Sequence, residues 1–231
     1  MNHLQGLLAP VFSTLLCLTA AATAVAQDYH ANPGFAPAAV TRGPYLQMQT
    51  DDGITVRWRT DLATDSVVRY GATPGSLDQS VTVTGTRTEY EVALTGLGAG
   101  TTWYYSVGDS GGPVAGDSSY FFSTAPHQGL AADARIWVLG DSGTANADAR
   151  AVRDAYKAWA ASDPADVVLM LGDNAYNDGT DAEYQAAVFN TYPEILRQLP
   201  LFSTLGNHDG HSADSATQSG PYYDILSLPA A

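Results

Sequence analysis

Three apolar runs in this chain each end in a glycine, and each glycine is followed by a side chain that can bind a metal ion. The glycines are Gly140, Gly172 and Gly206, and the residues after them are Asp-Ser-Gly, Asp-Asn-Ala-Tyr and Asn-His-Asp. A single glycine–aspartate pair is a common turn. Successive separations of 32 and 34 residues, however, match the length of a strand, a helix and the next strand. The pattern predicts three strand ends side by side, where α/β sheets bind ligands.

The apolar runs themselves have the character of strands, at residues 135–139, 167–171 and 200–205. The first is nearly continuous, as expected for a strand that is buried on both faces. Between the runs, Asn146 is the predicted N-cap of a helix that reaches Ala161, and residues 180–183 form a capping box that opens a second helix. One side of the first helix is predicted to carry Val152, Tyr156, Trp159 and Ala160. Alternating strands and helices indicate an α/β layout with a parallel sheet.

Two carboxylates at one edge of that sheet predict a bound cation. Asp141 and Asp173 would repel each other, and the pKa of one would rise, unless a cation lay between them. The amide of Asn207 and the phenol of Tyr176 add oxygen ligands, which suit hard divalent or trivalent ions. A shared aspartate is a natural bridge in two-metal sites. Tyr176 is one of 13 tyrosines and has an alternative interpretation as a core residue, but its position three residues after Asp173 favours ligation.

Residues 42–124 have the pattern of an all-β domain. Stretches 54–60, 81–84 and 103–107 are rich in strand-forming residues, and glycine- and proline-containing turns separate them. Several short strands at this spacing predict a β-sandwich. The segment that leads to Trp103 resembles the turn into a late strand of fibronectin type III domains, which usually have a tyrosine at that position.

The first 26 residues predict a secretory signal peptide, because an apolar run ends in Ala-Val-Ala, a small-x-small cleavage pattern before Gln27. A membrane anchor is less favoured, since Pro10 interrupts the run and no basic flank follows it. A lipoprotein attached through Cys17 is a further alternative. Residues 27–40 are predicted to be a linker. The mature protein would then be secreted or periplasmic, without a thiol and without stable membrane association.

The charge of the chain limits its partners. Asp and Glu number 24 against 10 Lys and Arg, which gives a formal net charge of −14. Such a surface repels nucleic acid and anionic membranes, so no nucleic-acid partner is expected. The same charge also serves simply to keep a secreted protein soluble.

The three glycine-containing blocks resemble a known family. Gly-Asp-x-Gly at 140–143, Gly-Asp-x-x-Tyr at 172–176 and Gly-Asn-His-Asp at 206–209 are similar to the first three sequence blocks of the calcineurin-like metallophosphoesterases. The tyrosine in the second block is typical of the purple acid phosphatases. The resemblance implies an N-terminal all-β sandwich, fibronectin III-like, over residues 41–125. A partial α/β metallophosphoesterase domain would follow over residues 133–231.

The resemblance also implies roles for individual residues. Asp141 and Tyr176 would bind an iron(III), Asp173 would bridge two metal ions, and Asn207 would bind the second, divalent ion, which is iron, zinc or manganese. His208 would be catalytic and would contact the phosphoryl oxygens or protonate the leaving group, as in general acid catalysis.

The enzyme implied is an acid phosphatase, a secreted metal-dependent phosphoric ester hydrolase. It would hydrolyse small-molecule phosphate monoesters by attack of a metal-bound hydroxide on phosphorus. A phosphodiesterase or nucleotidase of the same fold is an alternative, and so is a noncatalytic secreted binding module.

Family members carry three further histidine ligands, and the five histidines of this chain include no counterparts. The chain is therefore expected to be an N-terminal fragment that is inactive alone. The physiological substrate, the second metal, the oligomeric state and the choice between periplasm and extracellular space stay open.

Overall fold

A computed structural model describes residues 37–229 of the chain. The predicted signal peptide, most of the predicted linker and Cys17 lie outside these residues. Six antiparallel strands form the first sheet, namely β1 (Val40–Gln47), β2 (Gly53–Gly71), β3 (Gln79–Thr95), β4 (Thr102–Asp109), β5 (Gly112–Ala115) and β6 (Phe121–Ser123). The predicted strand stretches lie inside β2, β3 and β4.

The long strands β2 and β3 bend this sheet into a sandwich-like form. The first part of β2 pairs with β1 and its last part with β4, while β3 pairs with β2 along both parts. The β2–β3 register shifts between Arg59 and Ser66, and such irregularities bend and twist a strand. In the core that results, the ring of Trp58 is stacked on that of Tyr90, with centroids 4.6 Å apart.

The second half of the chain alternates strands and helices. The elements are β7 (Ile136–Leu139), α1 (Ala147–Trp159), β8 (Val167–Met170), α2 (Asp181–Tyr184), a π-helical turn (Gln185–Phe189), α3 (Pro193–Leu196), β9 (Leu201–Ser203), a 3-10 turn (Asp209–His211) and α4 (Pro221–Ile225). Strands β7, β8 and β9 pair in parallel in that order. The predicted fold class, a sandwich followed by an α/β domain, is thereby confirmed. No helix within residues 37–229 is long and apolar enough to cross a membrane.

Two helix starts follow the predicted chemistry. The side chain of Asn146 accepts a hydrogen bond from the Ala149 N–H at the start of α1. At the start of α2, Thr180 and Glu183 form a complete capping box. Both arrangements satisfy N–H groups that have no partner inside the helix.

The prediction that the first apolar run is buried on both faces is wrong. Ile136 and Val138 in β7 are 52% and 50% exposed. Strand β7 lies at the edge of its sheet, and within the described residues helix α1 covers only the other face, where the ring of Trp137 stacks on that of Tyr156. An apolar run indicates that a strand tends to be buried, but it does not supply the neighbour that would bury it.

The prediction for helix α1 is also partly wrong. Tyr156 and Ala160 are buried, as expected, whereas Val152 and Trp159 are 51% and 74% exposed. The helix contacts the sheet along a narrower stripe that includes Ala149, so the outer part of its apolar face has no covering element among residues 37–229.

A cluster of ionised side chains joins the sandwich to the α/β half. Arg42 of β1 is fully buried, and it donates to Asp181 (2.6 Å) and to Gln185 (2.9 Å). Arg59 of β2 donates to the other oxygen of Asp181 (2.9 Å), and Glu89 lies 3.5 Å from Arg59. Partial burial raises the pKa of Asp181, but the hydrogen bonds and positive charges of the two arginines outweigh it, so this pKa lies below its usual value.

We expect Asp181→Asn to lower the free energy of unfolding by about 0.5–2 kcal/mol at pH 7, because it weakens hydrogen bonds to charged groups at a side chain that is 48% exposed and screened by water. The lowered pKa gives the sign of the pH dependence. The contribution of Asp181 is present above the ordinary carboxyl pKa of about 4 and is lost as pH falls below it. Urea unfolding at pH 7 and pH 3 should therefore show a smaller difference between wild type and variant at pH 3. Asp78→Asn, an exposed carboxylate in the sandwich, is the matched control. An equal difference at both pH values would contradict the assignment.

Candidate metal centre

The ends of β7 and β8 are tied together by their backbones. The Asp141 N–H donates to the carbonyl of Gly172 (3.2 Å), and the Gly143 N–H donates to the carbonyl of Asp173 (3.1 Å). Asp141 and Asp173 both have positive φ angles, 53° and 51°. This left-handed conformation is unfavourable for residues other than glycine and tends to persist where the surroundings enforce it, often at functional sites.

The phenol of Tyr176 lies between the two carboxylates. Its hydroxyl oxygen is 3.0 Å from Oδ1 of Asp141 and 3.1 Å from Oδ2 of Asp173. A phenol has one hydrogen and can donate it to only one of these oxygens at a time. The phenol oxygen then lies against the second carboxylate oxygen with no hydrogen between them. This contact is unfavourable unless a cation is present. The three side chains therefore fit a hard metal ion by their chemistry and by their placement.

The pKa values of Asp173 and Tyr176 are both shifted by their surroundings. The N–H of His208 donates to Oδ1 of Asp173 (3.0 Å) and holds the pKa of that carboxyl below its usual value, so it stays ionised. Burial, together with the hydrogen bonds to Asp141 and Asp173, raises the pKa of the Tyr176 phenol above its usual value. A bound cation would lower the pKa of the phenol instead, because it stabilises the deprotonated ligand.

The structure brings three of the four predicted metal ligands together. Asn207 follows β9 at the same edge of the sheet, but its side chain is exposed and hydrogen-bonds to none of Asp141, Asp173 and Tyr176. Within residues 37–229 no group of three or more His, Cys, Asp or Glu is arranged to hold a metal ion. The predicted set contains only two residues of those types, and its other oxygens come from a phenol and an amide.

His208, the predicted catalytic residue, is fixed beside the phenol. Its Nδ1 lies 2.6 Å from the carbonyl oxygen of Asn177, and its ring meets the Tyr176 ring with centroids 4.5 Å apart. A carbonyl can only accept, so Nδ1 carries a hydrogen, and within residues 37–229 Nε2 has no hydrogen-bond partner.

Asp209 is a structural residue that the sequence analysis overlooked. Its carboxylate is completely buried. It accepts hydrogen bonds from the N–H of Asn174 (3.1 Å), the side-chain amide of Asn174 (3.0 Å), the N–H of Gly206 (2.9 Å) and the hydroxyl of Tyr184 (2.6 Å). One carboxylate thus joins the loops after β8 and β9 to helix α2. The only indication in the sequence that Asp209 is important was its position in the Gly-Asn-His-Asp block.

Two glycines allow the strand-end loops to touch. A Cβ at Gly206 would overlap the backbone nitrogen of Asp173, and one at Gly143 would overlap the backbone of Ala175. Any larger residue would separate the loops that carry the candidate ligands.

Glu183 does more than cap helix α2. Besides the N–H of Thr180 (2.9 Å), its carboxylate accepts from the N–H groups of Asn177 (2.5 Å) and Asp178 (3.2 Å). It therefore orders the segment that holds His208. A capping box predicts the first of these contacts but not the other two.

Two family models match the two halves of the chain. Residues 42–124 match the family "Purple acid Phosphatase, N-terminal domain", and residues 134–229 match the family "Calcineurin-like phosphoesterase". The α/β half is therefore similar to the calcineurin-like phosphoesterases, and the sandwich is similar to the N-terminal domains of purple acid phosphatases.

A solved structure shares the fold at low sequence identity. The structure of PhoD superposes with a TM-score of 0.54 and 15% identity, and the match covers 75% of this chain but only 40% of that one. The fn3 domain of human contactin 1 matches with a TM-score of 0.30 and 21% identity. This match covers 44% of this chain and 86% of the contactin domain. No curated protein sequence matches the chain.

Proposed function

We propose that this protein is a secreted phosphomonoesterase of acid phosphatase type with a dinuclear metal centre. The observation that carries the proposal is the Tyr176 hydroxyl held between the carboxylates of Asp141 and Asp173. Similarity to the calcineurin-like phosphoesterases supports hydrolysis of phosphoesters as the reaction. The match to the purple acid phosphatase N-terminal domain favours the acid phosphatases within that family.

Each of the four candidate ligands has a proposed role in binding the two ions. Asp141 and Tyr176 would hold an iron(III), Asp173 would be shared by both ions, and Asn207 would hold a divalent iron, zinc or manganese. When bound, such ions neutralise charge on the phosphoryl oxygens and activate water as the nucleophile. The five histidines of these 231 residues leave the family's remaining ligands without counterparts, so we expect little turnover from this chain by itself.

His208 is proposed to protonate the oxygen of the leaving group. Because Nδ1 donates a hydrogen bond to the carbonyl of Asn177, Nε2 is the ring atom available to a substrate. A ring that also carries a hydrogen on Nε2 can donate that proton. The contact with the Tyr176 ring places the imidazole beside the candidate ligands. The His208 N–H also orients the carboxylate of Asp173, so this residue contributes both its side chain and its backbone.

The test is kinetic and uses the native protein, isolated from the culture medium or the periplasm of the cells that make it. We expect hydrolysis of p-nitrophenyl phosphate at acidic pH, loss of activity on chelation, and a much lower rate with bis(p-nitrophenyl) phosphate. His208→Ala should lower kcat/KM by roughly 100- to 10,000-fold, the usual contribution of a positioned acid or base. His127→Ala changes an exposed histidine between the sandwich and the α/β half and is the matched control.

Other outcomes would replace the proposal. A preference for the diester would favour a phosphodiesterase. Failure of the native protein to hydrolyse either ester would favour a noncatalytic binding module, and recovery only from the cytoplasm would contradict secretion.

A further inference from the structure

A second histidine is held in the same way as His208. Its neighbour His211 has Nδ1 3.1 Å from the carboxylate of Asp178, just as Nδ1 of His208 lies 2.6 Å from the carbonyl of Asn177. Two consecutive residues of one loop thus supply the acceptors for two imidazoles. In both rings Nδ1 donates a hydrogen bond, and within residues 37–229 Nε2 has no hydrogen-bond partner.

The two imidazoles extend outward from the candidate metal ligands. The ring centroids of Tyr176 and His208 are 4.5 Å apart, and those of His208 and His211 are 5.4 Å apart. The hydroxyl of Tyr176 lies at the carboxylates, so His211 is at the far end of the row, with its side chain 53% exposed. A leaving group that meets His208 at this cluster would therefore have His211 as the next imidazole, 5.4 Å from His208 between ring centroids.

The loop that carries these acceptors is ordered by contacts of its own. Glu183 accepts from the N–H groups of Asn177 and Asp178, and the hydroxyl of Ser212 donates to the carbonyl of Gly179 (2.6 Å). Both imidazoles are therefore held before any ligand arrives. Groups that are already in position bind with a smaller loss of conformational freedom.

Carboxylates lie next to His211: Asp178 contacts its Nδ1, and Glu183 accepts from the N–H of Asp178. Asp178 is 64% exposed, and within residues 37–229 no lysine or arginine forms an ion pair with it or with Glu183. The chain as a whole carries a formal net charge of −14. A substituent with a second negative charge would meet repulsion here, whereas a neutral aromatic or hydroxylated group would meet an imidazole ring and its free nitrogen.

We propose that His211, held by Asp178, forms a leaving-group subsite that favours phosphomonoesters of uncharged phenols and alcohols over esters that carry further negative charge. This inference rests on the proposed function and names its substrate class.

The experiment measures binding to the Zn²⁺-loaded chain by NMR, through the ring nitrogen and proton signals of the histidines. The ligands are inorganic phosphate, phenylphosphonate and 4-carboxyphenylphosphonate, so turnover is not needed. We expect phenylphosphonate, but not phosphate, to shift the His211 signals. His211→Ala should weaken phenylphosphonate binding by about three- to tenfold, the range for an aromatic contact, and leave phosphate binding unchanged.

Asp178→Asn tests the charge. Phenylphosphonate should bind about two- to fivefold more tightly than its carboxylated analogue, and the variant should reduce that ratio, as expected for exposed charges. Asp78→Asn is the control and should leave the ratio unchanged.

If phosphate binds, but His211→Ala weakens phosphate and phenylphosphonate equally or neither of them, the subsite is wrong while the proposed function stands. If the wild-type chain binds none of the three ligands, the subsite is overturned, whereas the proposed function is decided by the kinetics of the native protein.

Discussion

Asp209→Ala is expected to lower the free energy of unfolding by about 2–6 kcal/mol, because it leaves at least two buried N–H donors unpaired. The carboxylate is completely buried and has four hydrogen-bond donors. Its removal leaves backbone N–H groups of Asn174 and Gly206 without an acceptor in a site closed to water, and each such group costs about 1–3 kcal/mol. Because a domain is stable by only about 5–15 kcal/mol, this one change should bring the α/β half close to unfolding.

Urea unfolding followed by tryptophan fluorescence measures this effect. Asp214→Ala is the matched control, because its exposed carboxylate accepts only from N–H groups of its own turn, at Ala216 and Thr217. The control should change stability by no more than about 0.5–1 kcal/mol. Equal unfolding midpoints for the two variants would show that the loops after β8 and β9 do not depend on Asp209.

Asp173→Asn is expected to abolish metal binding and leave the fold intact. The change preserves the size of the side chain and one oxygen that can accept from the His208 N–H, but it removes the negative charge at the proposed bridging position. Loss of an outer partner of a metal ligand already costs 10- to 100-fold in affinity, so loss of a bridging ligand should cost more than about 100-fold.

The measurement compares zinc titrations of wild type, Asp173→Asn and the control Asp78→Asn, together with their urea unfolding midpoints. Weak metal binding with an unchanged midpoint identifies Asp173 as a ligand. A large fall in the midpoint would instead assign it a structural role like that of Asp209, and unchanged metal affinity would remove it from the proposed centre.

Local rules in the sequence predicted much of the α/β half. The spacing of Gly140, Gly172 and Gly206 predicted three parallel strands with their ends side by side, because a crossover helix has a characteristic length, and the strands pair in this way. Asn146 and Thr180 cap their helices, since capping depends on residues within one turn. The proximity of Asp141, Asp173 and Tyr176 also followed from spacing, although their roles as ligands stay a prediction.

Features that depend on distant neighbours were not predictable in the same way. An apolar residue such as Val138 or Trp159 indicates a tendency to be buried, but the element that covers it is not encoded nearby. Asp209 looked like part of a ligand motif, and only the folded chain shows that four donors surround it and that it faces the interior. The contacts of Glu183 with the N–H groups of Asn177 and Asp178 likewise depend on the course of the loop from Asn177 to Thr180, which the sequence does not reveal.

The most direct test of the central claim is to load the chain with iron(III), remove unbound metal, and record metal content and the visible absorption spectrum for wild type and Tyr176→Phe. We predict that wild type retains iron and shows a tyrosinate-to-iron absorption band, and that Tyr176→Phe loses the band and binds iron more weakly. Absence of retained iron in wild type, or an identical band in Tyr176→Phe, would contradict the assignment of Tyr176 and its neighbouring aspartates as a metal centre.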